Sequence, residues 1–115
     1  MWEIEYYETA KGDVPVFDFL DSFSVKMRGK AVRDIVLLEK LGPRMTLPHS
    51  RCIENGIYEL RVQVEGDTSR IFYFFFIGRK IILTNGFIKK TQKTPLGELK
   101  KARLYKSDYE RRHTL

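Results

Sequence analysis

Two apolar stretches separated by only a Gly66-Asp67 pair constrain this chain most. From Gly56 to Glu65, Tyr58, Leu60, Val62 and Val64 alternate with Glu59, Arg61 and Gln63, the period of a strand with one wet face. Ser69 to Ile77 returns antiparallel, and its continuous aromatic and aliphatic content from Ile71 onward suits a central strand covered on both faces. A two-residue loop with glycine first predicts a type II′ hairpin. Gly78-Arg79-Lys80 turns the chain again, and Ile81 to Ile88 forms the next strand. An antiparallel meander is therefore the centre of the fold.

The flanks supply the helices. Trp2 to Glu8 alternates Trp2, Ile4 and Tyr6 with Glu3 and Glu5, predicting a strand. Asp13 as a cap and Pro15 in a first turn predict a short helix over Val14 to Asp21. Ser24 caps a second helix with an apolar stripe of Met27, Ala31, Ile35 and Leu38, widened by Val32 and Val36, and Leu41-Gly42-Pro43 stops it. Pro48 to Asn55 reads as a loop running into a short strand. Thr94 and Pro95 open a last helix whose stripe is Leu96, Leu99, Ala102, Tyr105 and Tyr109. The expectation is one α+β domain over residues 1–115, with a helical hairpin and a C-terminal helix packed on one face of a twisted antiparallel sheet.

Charge is distributed unevenly. From Lys89 to the C-terminus there are nine Lys/Arg and three Asp/Glu, a formal +6, while the remainder balances at twelve of each. Such an end points to a polyanion held against a folded scaffold. No run reaches the roughly 18 apolar residues of a membrane span, and the acidic, alternating N-terminus does not read as a signal peptide, so a cytoplasmic location is expected. The single cysteine, Cys52, precludes an intrachain disulfide or a Cys-based zinc site and is expected to be structural.

Strand register gives the cations geometry. A Gly66-Asp67 loop places Arg61 opposite Phe72 and Gln63 opposite Arg70, making Arg61 and Arg70 diagonal neighbours roughly 7 to 8 Å apart. A two- or three-residue turn at Gly78 places Arg70 opposite Phe87 or Ile88, which brings Lys89 and Lys90 alongside. The sheet face left free by the helices then carries Arg61, Gln63, Arg70 and the first lysines, with Phe72 and Phe87 as stacking surface. Cations interleaved with aromatics suit a single-stranded nucleic acid. A one-residue slip would send Arg70 to the other face. Glu59, two residues from Arg61 on the same face, offers Arg61 an ordinary ion pair as the competing role; Arg70 has few acids near it in sequence. Lys89, Lys90 and Lys93 taken alone are a solvated loop, and only convergence with Arg70 gives them more.

Ile57-Tyr58-Glu59-Leu60-Arg61-Val62, Arg70-Ile71-Phe72-Tyr73-Phe74-Phe75, Gly86 through Pro95 and the helix from Glu98 to Tyr109 together resemble the HigB branch of the RelE/ParE toxin superfamily, which includes phage-derived host-killing proteins. The resemblance implies a RelE-like fold and a type II toxin that cuts mRNA on the ribosome without metal or cofactor. It also implies a HigA-like helix-turn-helix antitoxin, with operator DNA met only through that partner. On this reading Arg61 and Arg70 hold the phosphate, and Lys89, Lys90 or Lys93 serves as base or acid. His49 in the loop before the sheet is a further acid–base candidate, and Lys100 and Lys101 belong to a basic helix face that meets ribosomal RNA or simply faces water. Many relatives use a histidine or tyrosine near the C-terminus; here these are His113 and Tyr109, and helix spacing assigns Tyr109 to core packing. A ParE-like gyrase inhibitor and a noncatalytic RNA-binding module are the alternatives.

Overall fold

The computed structural model describes residues 1–114. Strand β1 (Glu3–Tyr6) leads into helices α1 (Pro15–Asp21) and α2 (Val25–Leu41), followed by a short 3-10 turn over Gly42–Arg44. Strands β2 (Ser50–Glu54), β3 (Ile57–Val64), β4 (Asp67–Phe76) and β5 (Lys80–Ile88) come next, and helix α3 (Leu96–His113) ends the chain. The five strands form one sheet in the order β1-β5-β4-β3-β2. β4 is the central strand, as its unbroken apolar run demands. β2 to β5 pair antiparallel, but β1 lies parallel to β5, so the sheet is mixed. A parallel neighbour needs a long crossover, and here almost the whole chain runs between β1 and β5.

The helices do not share one face. Met27, Ala31, Ile35 and Leu38 of α2, with Val16 and Leu20 of α1, pack on Leu60, Val62, Ile71, Tyr73, Ile81 and Leu83. Leu99 and Ala102 of α3 pack on Ile57, Phe72 and Phe87, and Tyr109 packs on Phe74 and Ile82. α3 therefore covers the opposite face, and the expectation of one-sided packing is corrected. The cause lies in β4: Ile71 and Tyr73 point one way and Phe72 and Phe74 the other, so water on either face would expose large apolar area.

Local signals hold to within a residue. Ser24 Oγ accepts from the Met27 amide at 3.2 Å, capping α2. The cap position of α1 falls on Val14, with Pro15 in the first turn; the Asp13 amide instead donates to Thr9 Oγ1 at 3.1 Å. α3 begins at Leu96 with Pro95 as its cap residue, one position later than expected, and Leu96 is exposed. Val32 and Val36, assigned to the α2 stripe, are also exposed. Cys52, expected to be structural, is an exposed free thiol on the edge strand β2.

The first hairpin turn differs instructively from the pattern, and the second takes the longer of the two expected lengths. Val64 pairs with Asp67, so the loop is Glu65-Gly66, and Gly66 at its second position has φ +79°, the sign a type II turn requires there. The β4–β5 turn takes three residues, since Phe76 pairs with Lys80. Farther along, Ile71 pairs with Gly86 but Tyr73 with Leu83. Thr84 and Asn85 thus stand against Phe72 alone, a bulge that shifts the side-chain alternation of β5.

A cationic groove as the candidate functional site

Moving the first turn back by one position changes the register but not the faces. Arg61 pairs with Arg70 directly, Gln63 with Thr68 and Glu59 with Phe72; the expected diagonal arrangement is corrected to a face-to-face one. Like charges directly opposite one another repel, and the sheet answers with Glu59, whose side chain has no exposed surface. Arg61 Nε donates to Glu59 Oε2 at 3.2 Å. Arg51 Nε lies 3.7 Å from the same oxygen, and Arg70 Nε lies 3.5 Å from Oε1. Arg70, with few acids near it in sequence, therefore gains one from the neighbouring strand.

Arg70 is held on its other side as well. Its Nη1 donates to Thr68 Oγ1 and to the Ser69 carbonyl, each at 2.9 Å. Arg61 Nε and Arg70 Nη1 are thus hydrogen-bonded, whereas Arg70 Nε and Glu59 Oε1 meet only as an ion pair at 3.5 Å and are each buried without a hydrogen-bond partner. Among the described residues, Nη2 of Arg70 and both terminal nitrogens of Arg61 have no hydrogen-bond partner. Burial holds the Arg70 guanidinium below the ordinary arginine value, with Glu59 opposing and Arg61 and Arg51 adding to the depression. It remains a cation, one with little water and spare donors.

Lys89 continues β5 past Ile88, its amide donating to the Thr68 carbonyl at 2.9 Å. Burial lowers the Lys89 pKa; Glu59 opposes this, while Arg70, Arg51 and Arg61 lower it further. Arg51, Arg61, Gln63, Thr68, Arg70, Lys89, Lys90, Thr91 and Gln92 line one groove of about 650 Å³. Five cationic side chains thus converge above a single buried carboxylate, which suits an anion with several oxygens.

The other expected site residues fall elsewhere. Phe72 and Phe87 are buried under α3, with their ring centroids 5.3 Å apart, so neither offers a face to a base. Lys93 is exposed beyond the groove lining. His49 is exposed, and its carbonyl accepts from the Arg61 amide at 2.8 Å; it stands beside Arg61 without lining the groove. Lys100 is exposed on α3, and Lys101 pairs with Glu98 at 3.5 Å in a different cleft. Tyr109 is a core residue, donating to Glu5 Oε1 at 2.8 Å and stacking on His113 with centroids 3.9 Å apart. Both pack on Phe76, six residues along β4 from Arg70, or about 20 Å at a strand's rise.

Arg51, Thr68, Thr91 and Gln92 line the groove without having been named as site residues from the sequence, and the depth of Glu59 beneath it was not foreseen. Arg51 lay in a stretch read mostly as loop, and its pairing with Glu59 becomes visible only when β2 joins β3. Thr68 sat outside the expected strand. Glu59 was visible as an acid on the Arg61 face, but its burial depends on the cover that α3 gives that face.

Among curated proteins, none matches the chain. The family model described as "Phage derived protein Gp49-like (DUF891)" matches residues 18–106, which run from α1 through every groove-lining residue and into α3. The chain belongs to this Gp49-like family, a phage-derived, toxin–antitoxin-associated family of RelE/ParE-like toxins.

Proposed function

We propose that the chain is a HigB-type, ribosome-dependent mRNA endonuclease, neutralised by a HigA-like helix-turn-helix antitoxin. The observation that supports this most is the groove itself, where arginines held by Glu59 keep terminal nitrogens free beside a lysine of lowered pKa.

The chemistry follows from those groups. The 2′-hydroxyl attacks the adjacent phosphorus, forming the O2′–P bond and breaking P–O5′. Lys89, when neutral, takes the 2′ proton, and Lys90 as an ammonium returns one to the 5′ oxygen. The products are a 2′,3′-cyclic phosphate and a free 5′-hydroxyl. Arg61 and Arg70 meet the charge that builds on the nonbridging oxygens, a task for which planar guanidinium forks are suited. With Phe72 and Phe87 buried, the groove holds the backbone by charge, and the ribosome presents the codon.

Translation of a defined message in a purified system, followed by toe-printing and end analysis, tests the reading. New 5′-hydroxyl ends that require ribosomes are expected. Their absence would remove the nuclease assignment, and inhibition of gyrase supercoiling would favour the ParE-like alternative.

A further inference from the structure

A second cleft, of opposite sign, lies on the outer edge of β5. β1 ends its pairing at Tyr6 against Leu83, so the stretch from Thr84 onward has no strand on that side. α1 and the first turns of α3 flank the gap. The resulting cleft of about 350 Å³ is lined by Asp13, Asp18, Asn85, Gly86, Glu98 and Lys101, with Thr9, Pro15 and Tyr105 completing it. Three carboxylates oppose one ammonium in a chain whose formal net charge is +6.

Acidic side chains alone do not make a site, but Asn85 adds an independent observation. It is 3% exposed, and its Nδ2 donates to the Glu98 carbonyl at 3.1 Å and to Glu98 Oε1 at 3.3 Å. Its Oδ1 is buried without any donor. A buried acceptor left unpaired is costly and rare. The cleft is also preformed, since Thr9 and Asp13 close the adjoining loop through reciprocal bonds.

The missing group must bring N–H donors and positive charge. Phosphate is repelled here, which excludes the RNA backbone. Among the described residues no three His, Cys, Asp or Glu side chains assemble as a metal-ligand set. A guanidinium carries five donors in a planar fork and fits several acceptors at once. Lys101, whose ammonium lies 3.5 Å from Glu98 Oε2 and whose side chain is 56% exposed, is a resident cation that such a group would displace.

We infer that this cleft receives an arginine side chain of the antitoxin, a docking point on the far side of β5 from the cationic groove. The inference rests on the toxin reading for the identity of the partner, and it leaves the groove open in the complex.

Two measurements on the full chain test it. L-arginine amide is titrated while the Asn85 side-chain amide and the Gly86 amide are followed by NMR. Both resonances shift in the wild type and not in Asp13→Asn/Asp18→Asn, two exposed positions; no shift, an equal shift in the variant, or an equal shift with Mg²⁺ overturns the proposal. The antitoxin encoded beside the gene is then bound by calorimetry. The double variant weakens binding at least fivefold, Lys101→Ala strengthens it, and ribosome-dependent cleavage by the free double variant is unchanged. Wild-type binding with a smaller loss in the variant overturns the inference alone, whereas a wild-type chain that neither binds that protein nor blocks translation overturns the toxin reading.

Discussion

Arg61 and Arg70 stand directly opposite one another on adjacent antiparallel strands, and the carboxylate of Glu59 touches the Nε edge of both. The pair is a preorganised anion receptor: repulsion that would splay the two guanidiniums is cancelled from beneath, while their outer nitrogens face the groove. Arg70→Ala removes the more deeply held member and leaves Glu59 paired with Arg61 and Arg51. The expected outcome is loss of toxicity and of RNA cleavage with an unchanged circular-dichroism spectrum; a folded, fully toxic variant would place the site elsewhere.

Glu59→Gln keeps the shape and deletes the charge. The amide presents donors to donors, and three arginines lose their counter-charge inside the sheet. Breaking a buried ion pair costs about 3 kcal/mol or more, which urea unfolding reads as a lower midpoint at unchanged slope. A variant as stable as the wild type would show that the arginines find enough water to stand without the acid.

Lys89 carries the pH dependence. Its pKa is lowered from 10.5 chiefly by burial, so its neutral form appears at lower pH than for an ordinary lysine. Cleavage should rise with pH and level off below that value. Lys89→Arg, which keeps the charge and cannot lose it, should abolish cleavage and retain RNA binding. Stability moves in the same direction. Between the lowered folded pKa and 10.5 the unfolded chain holds the extra proton, so this residue's penalty on folding, complete at lower pH, is relieved as pH rises through that window. A pH–rate profile identical for wild type and Lys89→Arg would sink the assignment.

Gly86 on β5 leaves no room for a side chain beneath Phe19 of α1. A Cβ there would enter the Phe19 ring and lie 3.0 Å from the Arg70 carbonyl. Gly86→Ala should cost about 1–3 kcal/mol through overpacking, and Phe19→Ala in the same chain should recover part of it. Thermal unfolding of the single and double variants checks this, and simple additivity of the two losses would contradict it.

At the far end of the sheet, Tyr109→Phe removes the hydrogen bond to Glu5 and keeps the ring packing. A loss of about 1 kcal/mol is expected, with cleavage unchanged, and His113→Ala should also cut at the wild-type rate. Reduced kcat in either folded variant would bring the C-terminus into the reaction.

The β3–β4–β5 meander, the Ser24 cap and the α2 stripe of Met27, Ala31, Ile35 and Leu38 were legible in the residues because each depends on a local period or a local bond, whereas the parallel pairing of β1 with β5 was not. The face shared by Arg61, Gln63 and Arg70 was legible too. The actual turn lies one position earlier than the glycine suggested, but that displacement moves both partners together and preserves the alternation. The β5 bulge was not legible, since one extra residue against the partner strand leaves no mark in a hydrophobic pattern.

The meander, its helical flanks and the concentration of charge after β5 can therefore be read from local residue patterns alone. Which face α3 covers follows instead from long-range packing, and that packing changed which residues line the site. Covering Phe72 and Phe87 withdrew them from any ligand, and the same packed face left Glu59 without water. A carboxylate in that position gathers arginines from β2, β3 and β4 because nothing else nearby can solvate it. Such a convergence depends on distances between strands far apart in the chain, and no local pattern of residues encodes them.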